Sequence, residues 1–117
     1  MSSEFPVLDP DAIANLRELS PGDDSFLIEI IQTYSEDTPK RIEEARAAFA
    51  AGDTATFIRA THTIKGSSSN LGAERLRRTA ERFEHSARKT GLAGMEQAAA
   101  ELEAEFARTR AALLELI

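Results

Sequence analysis

The chain has two histidines and no cysteine, so thiol nucleophiles, disulfides and thiolate metal sites are excluded. Imidazole, with an ordinary pKa near 6.5, offers a largely neutral and nucleophilic nitrogen at neutral pH. His62 lies in a segment from Thr54 to about Ser69 in which Phe57, Ala60, Ile64, Ser67, Ser68 and Leu71 recur at helical spacing and mark an inward face. At about 100° per residue, His62 projects roughly 160° from the centre of that face. It shares the outer side with Ile58, Lys65, Gly66 and Ser69. An outward helix histidine is most often merely solvated, but Gly66 argues otherwise. A glycine inside a helix costs roughly 1 kcal/mol relative to alanine, and no core contact asks for one on an outer face. Its effect is to remove a side chain one turn beyond His62, so that a flat surface could approach the ring. Lys65, at i+3, places a cation where an anion attached to the ring would lie. The three serines that follow Gly66 read as small residues for tight helix packing.

The other candidates are weaker. His85 falls nearly opposite the inward face of its own helix and reads as a solvated bystander. Two histidines on different helices, without cysteine, offer no ligand set for a metal, and no metal site is expected. Arg75, Arg77, Arg78 and Arg82 are interrupted by Glu74 and Glu81 and spread around a helix, the pattern of a solvated face.

Five helical segments must position these residues. Asp9-Pro10 is an N-cap followed by proline at the first helical position. Ile13, Leu16 and Leu19 then supply a short stripe that Ser20-Pro21-Gly22 ends. From about Asp23 to Ala51, Leu27, Ile31, Tyr34, Thr38, Ile42, Ala45 and Phe49 recur every three or four residues. Pro39 within this run predicts a kink, or two helices meeting near Asp37-Thr38. Phe26 and Ile30 lie beside the stripe, placed either to pack on the first helix or to meet a partner. Gly52-Asp53 closes this helix and caps the one bearing His62. After Leu71-Gly72, a fourth helix from about Ala73 to Lys89 turns Leu76, Ala80, Phe83 and Ala87 inward. The last carries Met95, Ala99, Leu102, Phe106, Thr109, Leu113 and Leu116, the alternation of antiparallel bundle packing. The expected fold is all-α, an antiparallel up-down four-helix bundle with an additional short N-terminal helix.

Composition agrees and narrows the function. The 117 residues suit one domain, and the bias to Ala, Glu, Arg and Leu is that of helical proteins. With 14 Lys and Arg against 20 Asp and Glu, the net charge of −6 argues against broad attraction to nucleic acid or anionic membrane. No apolar run nears the roughly 20 residues of a membrane span, and the N-terminus lacks the basic-then-apolar order of a secretory signal. A cytoplasmic protein, monomeric by default, is expected.

The run His62-Thr63-Ile64-Lys65-Gly66-Ser67-Ser68-Ser69-Asn70-Leu71-Gly72 resembles the signature of histidine-containing phosphotransfer (HPt) domains: a histidine, a small residue, an aliphatic, Lys-Gly, small residues and a closing Leu-Gly. Val7-Leu8-Asp9, the helix from Phe26 to Ile31 with Asp37 to Pro39 after it, and Phe83-Glu84 fall where this family has them. The resemblance therefore extends over nearly the whole chain, read as a single HPt domain over residues 1–117. It implies that His62 accepts a phosphoryl group from a receiver-domain aspartyl phosphate and passes it to another receiver, without kinase activity of its own. Lys65 would steady the phosphoryl oxygens and Gly66 would give clearance. Mg²⁺ is expected on the receiver, with no cofactor on this chain. The implied partners are the receiver domains of a hybrid histidine kinase and of a downstream regulator. Ile58, Ser69, Arg88, Phe26 and Ile30 are the candidates for docking them.

One ring nitrogen must stay unprotonated to attack, which requires an acceptor holding the proton on the other. The resemblance places Glu84 there. An ordinary i+4 pair between Glu84 and Arg88 is the alternative. Two other functions stay open at the level of sequence: the phosphoacceptor domain of a chemotaxis-type histidine kinase, and a helical adaptor that is never phosphorylated. The Asn70-Leu71-Gly72 ending resembles relay members more than chemotaxis ones.

Overall fold

The computed structural model describes residues 5–117. Five helices follow one another as α1 (Pro10–Glu18), α2 (Ser25–Ala51), α3 (Thr54–Leu71), α4 (Glu74–Thr90) and α5 (Ala98–Leu114), and no strand occurs among the described residues. Helices α2 to α5 form a bundle in which each packs on its chain neighbour and α5 closes the ring against α2. Short αα connections leave antiparallel neighbours as the geometric outcome. The packing is most extensive where α3 meets α4 and α2. Helix α1 lies across α2 and α3.

Local chemistry sets the helix ends. The Asp9 carboxylate accepts from the Asp11 amide at 3.0 Å, and Pro10 opens α1. The Asp53 carboxylate accepts from the Thr56 amide at 3.1 Å, capping α3. Gly52 and Gly72 close α2 and α3 in the left-handed conformation, with φ of 69° and 67°.

The buried stripes follow the heptad-like spacing: Leu27, Ile31, Tyr34, Thr38, Ile42 and Ala45 on α2, Phe57, Ala60, Ile64 and Leu71 on α3, Leu76, Ala80, Phe83 and Ala87 on α4. Pro39 neither splits nor ends α2, which runs as one helix through it. The proline is exposed, and Tyr34, Thr38 and Ile42 stay on one buried stripe on both sides of it. Packing along that stripe holds the helix together where the chain alone would break.

Other expectations shift at element ends. Leu19, read as part of the first stripe, is 66% exposed because α1 stops at Glu18 and Leu19 is its C-cap. Met95 is buried in the connection before α5, which starts only at Ala98. On α2, Ala48 takes the fully buried position and Phe49 is half-buried beside it.

Candidate functional site

Helix α3 presents His62 on its outer side, with the side chain 59% exposed. The buried residues Thr61 and Ile64 flank it and fix the rotation of the helix. Across the α3–α4 interface, Glu84 sits one residue from the buried Phe83 and is itself only 6% exposed. Its Oε2 lies 2.9 Å from His62 Nδ1. Its Oε1 lies 2.9 Å from Lys65 Nζ. Arg88, one turn on along α4, donates to the same Oε2 from Nη2 at 2.8 Å and from Nε at 3.1 Å. The two expectations for Glu84 are therefore compatible, since one oxygen serves both the imidazole and the arginine.

Burial by itself would raise the Glu84 pKa, but hydrogen bonds from Arg88, Lys65 and His62 outweigh it and hold the carboxyl at about 2. An ionised carboxylate can only accept. The proton between it and the imidazole therefore belongs to Nδ1, so that in the neutral ring the lone pair is on Nε2, and the ring is mostly exposed. That tautomer is the one a nucleophilic histidine needs.

Gly66 is exposed and helical, and a Cβ built there would have nothing within 4 Å. Ser69, one turn further, is exposed as well. Lys65 does not stand free beside the ring as the spacing suggested but bridges to Glu84. Ser68 is fully buried and shares a 2.8 Å hydrogen bond with the buried Tyr34 hydroxyl, tying α3 to α2 beneath the site. Ser67 is only half-buried and bonds back to the Thr63 carbonyl at 3.1 Å.

The apolar candidates divide. Phe26 is 40% exposed, whereas Ile30 and Ile58 are half-buried against the core. Ile58 is thus less exposed than its place on the wheel suggested, being packed against the core. Phe26 and Ile30 line a groove of about 330 Å³ between α2 and α3 together with Tyr34, Ser67, Asn70 and Leu71. Sequence reasoning placed Asn70 in the signature run but missed its position in this groove, and missed the groove itself. The signal that could have found it was the alternation of small residues on α3 with Phe26 and Ile30 on α2. His85 is exposed on the far side of α4 from the core. Among the described residues, no group of three His, Cys, Asp or Glu side chains is placed to hold a metal ion, and no helix is long and apolar enough to cross a membrane.

Comparison with known proteins adds to this geometry. The model of the Hpt domain family matches residues 29–112. Among solved structures, histidine-containing phosphotransfer protein B (HptB) from Pseudomonas aeruginosa PAO1 superposes with a TM-score of 0.85 at 30% identity, over 96% of this chain and 95% of that one. The HPT domain of a sensor hybrid histidine kinase from Shewanella superposes with a TM-score of 0.74 at 20% identity, over 94% of this chain and 92% of that one, a likeness of fold. A comparison with curated proteins gave no match.

Proposed function

This chain belongs to the Hpt domain family, and from that premise we propose that it is the histidine phosphotransfer intermediate of a multistep phosphorelay, receiving the phosphoryl group on His62 from one receiver domain and delivering it to another. The observation that carries this reading is the contact of His62 Nδ1 with the buried Glu84 carboxyl on a histidine side chain that is itself mostly exposed. The Nε2 lone pair attacks phosphorus, and the bond from phosphorus to the aspartyl carboxylate oxygen breaks with its electron pair leaving on that carboxylate. Nδ1 keeps its proton, so the product ring is a cation held against Glu84. Delivery reverses this: the P–N bond breaks, its pair returns to Nε2, and a neutral imidazole departs.

Phosphoryl transfer needs alignment and charge stabilisation more than covalent help. In this proposal the receiver supplies the aspartate and Mg²⁺, and this chain contributes no cofactor. Lys65, which shares the Glu84 carboxylate with the ring, exchanges it for the incoming phosphoryl oxygens. The open space at Gly66 admits the receiver surface, Ser69 lies under it, and the groove bordered by Phe26 and Ile30 takes an apolar side chain from it. Ile58 extends the contact on the other side of His62. A hybrid histidine kinase and a downstream regulator are the partners of this reading.

Incubation with a phosphorylated receiver and Mg²⁺ tests it. Acid-labile, alkali-stable phosphate should appear on the wild type and be absent from His62→Gln. Label that persists on His62→Gln overturns the assignment.

A further inference from the structure

The phosphotransfer reading gives Arg88 at most a place at the docking surface, yet its placement is not that of a surface ion pair. Exposed i+4 pairs have both partners in water and contribute little. Here the arginine is 57% exposed while its carboxylate partner is 6% exposed, and the remaining contacts of that carboxylate are the reacting ring and Lys65. Two guanidinium N–H groups and the His62 Nδ1–H converge on one oxygen, Oε2. An oxygen with two lone pairs cannot serve three donors fully, so each donor weakens the hold on the others. Charged groups reach Glu84 from two elements, His62 and Lys65 from α3 and Arg88 from α4. The acidic residues of α5 near α4 are turned to other arginines, Glu105 to Arg75 and Glu101 to Arg82.

We propose that Arg88 is a positioning residue that, by sharing Glu84 Oε2 with the imidazole, loosens the hold on the Nδ1 proton and so lengthens the lifetime of phospho-His62. The inference rests on the phosphotransfer reading and concerns the stability of its intermediate. Cleavage of the P–N bond returns the electron pair to Nε2. With Nδ1 protonated, the leaving group is a neutral imidazole. Without that proton it is an imidazolate, a far poorer leaving group. Glu84 alone favours the protonated, labile ring, and Arg88 draws on the same oxygen and opposes it. The balance between them sets how long the phosphoryl group waits for a receiver.

The test uses a small phosphoryl donor, potassium phosphoramidate, with His85→Gln in every protein so that the label reports His62. Phosphate release is followed from pH 5 to pH 10. In Arg88→Gln the alkaline decline of the release rate should move up by about half a pH unit, and the lifetime at pH 8 should shorten about threefold. Arg88→Lys should restore most of the wild-type profile. In a Glu84→Gln background, Arg88→Gln should produce no further shift, and thermal melts verify that each variant is folded. Superimposable profiles for wild type and Arg88→Gln overturn the role of Arg88 alone. A shift of equal size in the Glu84→Gln background also overturns it, since Arg88 would then act on the phosphoryl group directly. Failure of the protein bearing native His62 to form phosphohistidine overturns the phosphotransfer reading as well.

Discussion

Gly66 lies inside α3 and Gly72 caps its end, and a Cβ added at each meets different surroundings. At Gly66 the backbone is helical and the added atom touches nothing within 4 Å. At Gly72 φ is 67°, and the added atom would stand 2.5 Å from the Ala12 Cβ and 3.2 Å from the Asp9 carbonyl oxygen. The N-terminal segment crosses the α3–α4 turn at that point, where the Asp9 amide donates to the Gly72 carbonyl at 2.7 Å. Gly72 is thus required by the fold, which needs both its left-handed backbone and its missing side chain. Among the described residues no contact requires Gly66, and a helix would be more stable without it. In the proposed function that open space, one turn from an exposed imidazole, is where the receiver surface passes.

This contrast can be broken by measurement. Gly72→Ala should give the largest effect on stability, a loss of about 2–3 kcal/mol from the left-handed backbone and the collision with α1, read by denaturant unfolding. Transfer per folded molecule should be unchanged, and a selective loss of transfer would move Gly72 into the site. Gly66→Leu should reverse the pattern, slowing phosphoryl transfer from a receiver about tenfold or more while unfolding stays at or above the wild-type midpoint. Equal transfer rates would show that no surface passes over that position. The milder Gly66→Ala should stabilise the protein by up to about 1 kcal/mol, so a destabilised variant would reveal an internal need for the glycine.

Glu84→Gln probes the opposite wall of the site. Because the carboxyl is held at about 2, below its ordinary 4.5, its ionisation stabilises the fold fully above about pH 4.5. That contribution is lost as the pH falls through about 2, where the unfolded chain has already bound the proton. The wild type should therefore exceed Glu84→Gln in stability by about 1 kcal/mol or less near neutrality, its cationic partners being solvent-screened. The gap should close in acid. A gap independent of pH would mean that shape, not charge, is what Glu84 contributes to stability.

Much of the scaffold was legible because its determinants are local. Asp9-Pro10, Asp53 and the cap glycines act within one helical turn, and the three-and-four spacing of apolar residues marks the same buried stripes in the structure. The errors came where local rules were carried across an element's end or against tertiary packing. Leu19 continues a stripe beyond the residue at which α1 stops. Pro39 should interrupt a helix in isolation, yet α2 continues because the residues before and after it share one buried face. The outward rotation of His62, Lys65 and Gly66 was readable for the same reason as the stripes, since 100° per residue fixes direction once the inward face is known.

Direction around a helix axis is thus a property of the chain, and so are the caps, the charge balance and the presence of an imidazole beside a lysine and a glycine. Distance between helices is not. It emerges from how Ser68 meets Tyr34 and how Ala80, Phe83 and Ala87 seat α4 against its neighbours, contacts between residues far apart in sequence. Only that spacing brings the Glu84 carboxylate to within 2.9 Å of both the His62 imidazole and the Lys65 ammonium, buries it, and places Arg88 on the oxygen that holds the ring. A hydrogen bond is lost over a fraction of an ångström that no periodicity encodes.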